Sequence, residues 1–183
     1  KLIRYMLLCN LILLISCNDA DYKTLDNSAF INESRTASSA KVIITDDGAT
    51  TEITPCLTKE APHDCKLKIV VDTALLNKYN EQQGTSYVPL PEGAFTMPSE
   101  VVIPKGEYSI APVKINIKPL TQAMIGESYA IPVRLVSEDS DIPAMTKTGS
   151  FVITTEAIVT SALPQFTGAA MLEAKMPKGD ETY

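Results

Sequence analysis

The stretch VKINIK at residues 113–118 decides the fold class, because apolar and polar side chains alternate along it without a break. The stretch YAIPVRL at residues 129–135 repeats that alternation. Successive side chains of a β-strand point to opposite faces, so a period of two predicts strands with one buried and one solvated face. Such strands are typical of antiparallel sheets. Pro132 lacks a backbone N–H, which predicts that its strand lies at an edge or beside a bulge.

Turn motifs divide the surrounding sequence into further short strands. Asp46-Asp47-Gly48 follows an apolar run at residues 42–44, and Pro104-Lys105-Gly106-Glu107 follows another at residues 101–103. Each motif predicts a hairpin turn. Repeated short strands over residues 41–155 predict an all-β fold, an immunoglobulin-like antiparallel β-sandwich.

One short helix interrupts the strands. Asp72 or Thr73 suits the N-cap, and Gly84 supplies the stop at the other end. Leu75 and Tyr79, four residues apart, lie on one apolar stripe. A helix of about ten residues is not stable alone, so we expect it to lie across a sheet with Tyr79 in the core.

The first sixteen residues form a separate segment. Lys1 and Arg4 precede an apolar run at residues 5–15, which is typical of a secretory signal peptide over residues 1–16. This run is too short to cross a hydrocarbon core of about 30 Å as a helix. The chain as a whole carries a net charge of −6, which gives nucleic-acid binding no electrostatic basis.

The residues around Cys17 resemble a lipid attachment signal. Leu14-Ile15-Ser16-Cys17 resembles the lipobox of bacterial lipoproteins, which implies that Cys17 is acylated and anchors the protein to the outer membrane. A plain signal peptide or a short buried strand is the alternative. Asp19 and Asp21 resemble the export signal that carries Bacteroidota lipoproteins to the cell surface.

Two segments flank the predicted sandwich. Residues 17–40 are rich in Ser, Asn, Asp and Thr, which predicts a flexible tether. After residue 155 the strand pattern stops, and residues 156–183 predict a linker and the start of a truncated second domain.

Cys56 and Cys65 flank a polar segment between two strand-like runs. In an oxidising compartment this spacing predicts a disulfide that closes a hairpin. A metal site made by Cys56, His63 and Cys65 is the alternative. It offers three ligands at most and lacks a paired C-x-x-C motif, so we expect no metal and no cofactor.

Catalytic motifs are scarce. His63 is the single histidine of the sequence, and no G-x-S-x-G motif accompanies it, so a Ser-His-Asp triad has no support. Two carboxylates that meet only in space, as in glycosidases, stay open as an alternative. The acidic loop at residues 138–141 predicts a solvated turn, with a Ca²⁺ site as the alternative. We expect this chain not to be an enzyme.

Glycan binding would depend on aromatic side chains. The sequence has no Trp, and Tyr87, Tyr108 and Phe95 are the candidate glycan contacts. The alternative places these three rings in the core or at a sheet edge.

Three stretches together resemble one family. They are LLNKYNE at 75–81 followed by GTSY at 84–87, MPSEVVIPKG at 97–106, and YAIPVRL at 129–135. They resemble the N-terminal β-sandwich domain of unknown function found in Bacteroidota surface lipoproteins. The resemblance implies a domain that precedes a LamG-like, chitinase-like or further sandwich domain, in systems that use polysaccharides. It implies no catalytic residues.

Three functions fit these observations. The first is a non-catalytic, lipid-anchored module that presents a downstream glycan-interacting domain in polysaccharide capture. The second is a sandwich that itself binds glycan or a partner lipoprotein. The third is the accessory domain of a glycoside hydrolase that is cut off at the C-terminus.

Overall fold

The structure is a computed structural model, and it describes residues 26–158. These residues form an all-β sandwich with a single α-helix, α1 (Thr73–Gln83), which confirms the predicted fold class. The strands, in chain order, are β1 (Ala29–Ile31), β2 (Ser39–Ile44), β3 (Ala49–Ile53), β4 (Pro55–Leu57), β5 (Cys65–Val71), β6 (Val88–Pro89), β7 (Phe95–Thr96), β8 (Glu100–Ile103), β9 (Val113–Ile117), β10 (Tyr129–Ser137) and β11 (Ser150–Ala157).

Two sheets enclose the main core. The larger has the order β2-β11-β10-β5-β8, with β6 paired to β10, and the smaller has the order β3-β9-β7. A separate pair, β1-β4, adjoins them. Ile115 of the VKINIK stretch is fully buried, as are Ile53, Leu67 and Ile131, so alternate side chains of both sheets meet in one apolar cluster.

The two predicted hairpin turns connect different sheets. After residues 46–48 the chain leaves β2, which pairs with β11, and enters β3, which pairs with β9. After residues 104–107 it passes from β8, a partner of β5, towards β9. A turn motif fixes the local direction of the backbone but not the partner of the following strand. Both motifs form the predicted turns, but the strands that flank each turn belong to different sheets and do not pair with each other as a hairpin.

Pro132 does not lie in an edge strand, because β10 pairs with both β11 and β5. The segment of β10 that pairs with β6 ends at Ala130, and the segment that pairs with β5 begins at Val133. Pro132 lies in the gap, where its carbonyl accepts a hydrogen bond from Asp72 N at 2.9 Å. A proline fits this central strand because the ladder on that side is locally interrupted.

Helix α1 covers the outer face of the larger sheet. Its N-cap is Asp72, whose carboxylate accepts from Ala74 N and Leu75 N, and its C-cap is Gly84 with φ +63°. Leu76 is buried with Ala130 and Val152 in a second, smaller cluster. The predicted position across a sheet is therefore confirmed. On the face of β10 that was expected to be solvated, Ala130 and Pro132 are buried, whereas Arg134 further along the strand is exposed.

The sandwich begins earlier than predicted. Ala29 and Ile31 are fully buried, and β1 pairs with β4, so these residues belong to the fold and not to a tether. The three apolar residues of β1 lie within a polar segment, so the sequence does not indicate a strand there. At the other end, β11 continues to Ala157. The predicted signal peptide, Cys17, Asp19 and Asp21 lie outside the described residues, as does most of the predicted second domain.

The described chain begins and ends at opposite poles of the sandwich. Near its start, Ala29 N donates to Pro143 O at 3.0 Å, at the pole formed by residues 58–64, 104–108 and 138–149, here called the N-terminal pole. Near its end, Ile158 N donates to Ile44 O at 2.9 Å, at the pole formed by residues 45–48 and 118–128, here called the C-terminal pole.

None of the helices within residues 26–158 has the length and apolar character needed to cross a membrane.

Candidate functional surface

A groove of about 390 Å³ lies between α1 and the beginning of β11 and is here called the helix groove. One wall is the flank of the helix that carries Leu75, Lys78, Tyr79 and Gln82, and the other is the loop that leads into β11 with the start of that strand. The lining combines two aromatic rings, aliphatic carbons and charged or amide side chains: Ser38, Leu75, Lys78, Tyr79, Gln82, Thr146, Lys147, Ser150, Phe151 and Val152.

Tyr79 is the main aromatic group of the helix groove. Its hydroxyl lies 3.1 Å from Ser39 Oγ, and its ring centroid lies 6.3 Å from that of Tyr87 in a tilted arrangement. Asn80 holds the Tyr87 segment in place, because its Nδ2 donates to Tyr87 O at 2.8 Å and its Oδ1 accepts from Tyr87 N at 3.0 Å. A half-buried tyrosine ring that is held in place beside exposed polar side chains can stack on an apolar ring face and hydrogen-bond to hydroxyl groups.

The three candidate glycan contacts do not form one platform. Tyr87 is half-buried and contacts Tyr79, whereas Phe95 is half-buried and packs against the main core. Tyr108 lies at the N-terminal pole, where 52% of the residue is exposed and its hydroxyl donates to Glu60 Oε1 at 3.2 Å. That hydrogen bond raises the pKa of Tyr108. Each ring belongs to a different element.

Sequence reasoning missed the position of Tyr79 in a groove. The apolar stripe correctly places Tyr79 on the helix face that meets the sheet, but the residue is only half-buried and lines the helix groove. The opposite wall, including Lys147, comes from a loop without periodicity, so no signal in the sequence joins it to the helix.

A larger cleft, about 530 Å³, lies beside the 3₁₀ helix Asn32–Arg35 and strands β2 and β3. It contains two carboxylates, Glu33 and Glu52. Both oxygens of Glu33 already accept hydrogen bonds at 2.8 Å, from Thr54 N and from Thr54 Oγ1. Glu33 therefore has a structural role in fixing the turn between β3 and β4.

The structure does not contain the predicted disulfide, and Cys56 and Cys65 are both free, buried thiols in it. Cys56 lies in β4, which pairs with β1, whereas Cys65 begins β5 in the larger sheet. The segment between them joins different sheets and does not close a hairpin. Burial raises the pKa of both thiols, with a further increase from Glu33 at Cys56 and from Asp139 at Cys65.

His63 lies close to Cys65, but the third group beside them is Asp139 and not Cys56. His63 Nδ1 lies 3.9 Å from Cys65 Sγ, and His63 Nε2 lies 3.0 Å from Asp139 Oδ2. The predicted solvated turn at residues 138–141 thus contributes one carboxylate to a side-chain cluster. Its neighbour Glu138 forms an ion pair with Lys68 on the surface.

The fold is similar to that of known proteins from Bacteroides. A model for a family of N-terminal domains matches residues 23–142. The comparison with curated proteins gives no match. Among solved structures, a two-domain protein of unknown function from Bacteroides fragilis has a TM-score of 0.61 at 13% identity, over 73% of this chain and 46% of that one.

Two further solved structures share the fold. A Bacteroides ovatus protein with a proposed carbohydrate-binding role has a TM-score of 0.59 at 15% identity, over 70% of this chain and 36% of that one. EndoBT-3987 of Bacteroides thetaiotaomicron, solved with a Man5GlcNAc product, has a TM-score of 0.53 at 19% identity, over 70% of this chain and 30% of that one. This chain thus spans less than half the length of each of these three proteins.

Proposed function

The chain belongs to this family of N-terminal domains, and from that membership we propose that it is a non-catalytic module of a surface protein that acts on or binds glycans. In this proposal the acylated Cys17 anchors the module in the outer membrane. Asp19 and Asp21 direct it to the cell surface, and the sandwich presents a following glycan-interacting domain. Two of the proteins that share the fold have names that refer to carbohydrate.

The observation that carries the presenting role is the position of the two poles. The chain enters the fold near Ala29 and leaves it after Ala157, with the whole of β11 in between. A strand of eight residues at about 3.3 Å per residue spans about 26 Å. A module built in this way holds its membrane anchor and its downstream domain apart, as a spacer requires.

The presenting role is tested by binding measurements on the full chain with a panel of soluble polysaccharides. A single exposed aromatic contact contributes about 1 kcal/mol, so we expect no Kd below about 100 µM. We also expect no release of reducing sugar. Micromolar binding, or turnover that is lost on substitution of a residue in the described clefts, would contradict the presenting role.

Anchoring is tested separately by cell fractionation. Cys17→Ala is expected to move the protein out of the membrane fraction, whereas Cys9→Ala, a matched thiol change, should leave it there. Replacing Asp19 and Asp21 together by Ala should protect the protein from protease added to whole cells. Retention of Cys17→Ala in the membrane fraction would refute the lipid anchor.

A second candidate function, direct glycan binding, is favoured by the helix groove. Gln82 and Lys147 are exposed and line its two walls beside Tyr79. If the groove binds glycan, Gln82→Ala with Lys147→Ala should weaken binding several-fold. Tyr108→Ala, at the N-terminal pole, should leave binding unchanged. The same loss in both variants would exclude the groove as the binding site.

A further inference from the structure

Three side chains with different metal-binding chemistry meet at the N-terminal pole. They are an imidazole, a thiol and a carboxylate, from His63, Cys65 and Asp139. One ligand atom from each lies within 4.8 Å of the other two. His63 lies just before β5, Cys65 is the first residue of β5, and Asp139 comes from the turn after β10, so the register of β5 on β10 brings them together.

The thiol and the carboxylate are each held in place beside the His63 ring. Cys65 is only 1% exposed, and its Sγ lies 3.9 Å from His63 Nδ1. Asp139 Oδ1 accepts a hydrogen bond from Asp141 N at 2.9 Å, which fixes the carboxylate. The adjoining loop is pinned by Lys105 N, which donates to Asp64 Oδ1 at 2.9 Å.

The second carboxylate oxygen of Asp139 gives an independent observation that points to a cation. Oδ2 is shielded from solvent and has no hydrogen-bond partner among the described residues. It lies 3.0 Å from His63 Nε2, but the contact does not satisfy it as a hydrogen bond. A shielded carboxylate oxygen that accepts no hydrogen bond is costly, and a bound cation removes that cost.

We propose that His63, Cys65 and Asp139 form a three-ligand site for a divalent transition metal of the Zn²⁺ type. A mixed set of sulfur, nitrogen and oxygen ligands in tetrahedral geometry is characteristic of zinc, whereas Ca²⁺ and Mg²⁺ require oxygen ligands. Ligand atoms around tetrahedral Zn²⁺ are about 3.3–3.6 Å apart, so the three ligand atoms, which lie within 4.8 Å of one another, move closer together on binding.

The site is open on one side. A pocket of about 360 Å³ adjoins it and is lined by His63, Asp64, Lys66, Glu138 and Asp139, which leaves the fourth position to water. The His63 side chain is 59% exposed, so its ring is free to turn one nitrogen towards the metal. Binding converts the Cys65 thiol to a thiolate and releases one proton to solvent.

The test is a titration of the reduced, metal-free full chain with Co²⁺ and, separately, with Zn²⁺. Co²⁺ bound to a thiolate gives a charge-transfer absorption in the near ultraviolet, and we expect this band at one equivalent. Cys65→Ser should abolish it. Cys56→Ser, which removes the other buried thiol, should leave it unchanged and serves as the matched control.

The contribution of the other two ligands is measured from the Zn²⁺ affinity of variant proteins, determined by competition with a chromophoric chelator. His63→Gln and Asp139→Asn are each expected to weaken Zn²⁺ binding by at least about tenfold. His63 is exposed, so its variant tests the site even if Cys65→Ser fails to fold. The absence of the Co²⁺ band, its retention in Cys65→Ser, or an unchanged Kd in His63→Gln would overturn the proposal.

Discussion

The N-terminal and C-terminal poles of the sandwich are built in opposite ways. At the N-terminal pole, backbone hydrogen bonds join separate loops, such as Ala61 N to Glu107 O at 2.9 Å, and Ile142 is buried beneath them. At the C-terminal pole, Ile125 and Ile158 are 39% and 49% exposed, and they line a groove of only about 90 Å³.

This difference indicates that the poles depend on different interactions. The loops of the N-terminal pole are long and are held by a buried side chain and by hydrogen bonds between loops. The C-terminal pole contains a tight turn at residues 45–48, where Thr45 and Gly48 exchange backbone hydrogen bonds at 2.9 and 3.2 Å. We therefore expect the N-terminal pole to be sensitive to lost side-chain volume and the C-terminal pole to backbone geometry.

The largest expected effect is at Ile142. Ile142→Ala leaves a cavity under the loops of the N-terminal pole and should lower the free energy of unfolding by about 2–5 kcal/mol. Ile125→Ala at the C-terminal pole removes the same atoms from a half-exposed position and should have a much smaller effect. Urea denaturation of both variants measures the difference. Equal losses would contradict the contrast between the poles.

One glycine at each pole allows the effect of backbone geometry to be compared. Gly48 has φ +88°, and a Cβ there would collide with the carbonyl oxygen of Ile117. Gly106, at the N-terminal pole, has φ +84° but open space around the Cβ position. Gly48→Ala should lower the free energy of unfolding by about 2–4 kcal/mol, because it adds both backbone strain and overpacking. Gly106→Ala should lower it by about 1–2 kcal/mol, because it adds strain alone. Thermal denaturation of the pair checks this order, and a reversed order would contradict it.

The buried thiols give a smaller, pH-dependent effect. Burial raises the pKa of Cys65, so the folded state holds this proton more tightly than the unfolded state. The resulting stabilisation is complete below about pH 8.5, the usual thiol value, and is lost as the pH rises above it. In metal-free protein at pH 7, peptide mapping after a thiol-labelling pulse should show slow modification of both Cys56 and Cys65. Rapid labelling of the folded chain at Cys65 would contradict this expectation.

The smallest effect is expected at the ion pair between Lys68 and Glu138, whose side chains are 48% and 57% exposed. Lys68 lowers the pKa of Glu138, so any stabilisation is present above about pH 4.5 and is lost as the pH falls. Exposed pairs of this kind contribute little. Glu138→Gln should leave the urea midpoint at pH 7 nearly unchanged and should reduce its response to acid. A large loss at pH 7 would show that this ion pair supports the N-terminal pole.

The parts of the fold that could be predicted are those encoded locally. The alternation at residues 113–118 identifies β9, and Asp72 and Gly84 mark the ends of α1. Strand pairing could not be predicted in the same way. Residues 46–48 specify a turn, but the partner of β3 is β9, far away in the chain. Strand β1 could not be predicted for a related reason. It has only three apolar residues within a polar segment, and its burial depends on pairing with β4.

The same holds for the candidate sites: residues close in the sequence could be grouped, but residues brought together by strand pairing could not. Tyr79 and Tyr87 are close in the sequence and could be identified as one motif, whereas Lys147 reaches the helix groove only because β11 lies next to β10. His63 and Cys65 could be recognised as neighbours. Asp139 could not be added to them, because its position depends on the register of β5 on β10.

The pairing of β2 with β11 has a mechanical consequence. These strands, near the beginning and the end of the domain, run parallel over six register pairs, from Ser39 with Val152 to Ile44 with Ala157. Once the short β1 has detached, a pull on the two ends of the domain draws β2 and β11 past each other. The hydrogen bonds between them lie across the direction of force and are loaded together, not one after another. A domain held between a fixed anchor and a bulky load would resist tension best in this arrangement.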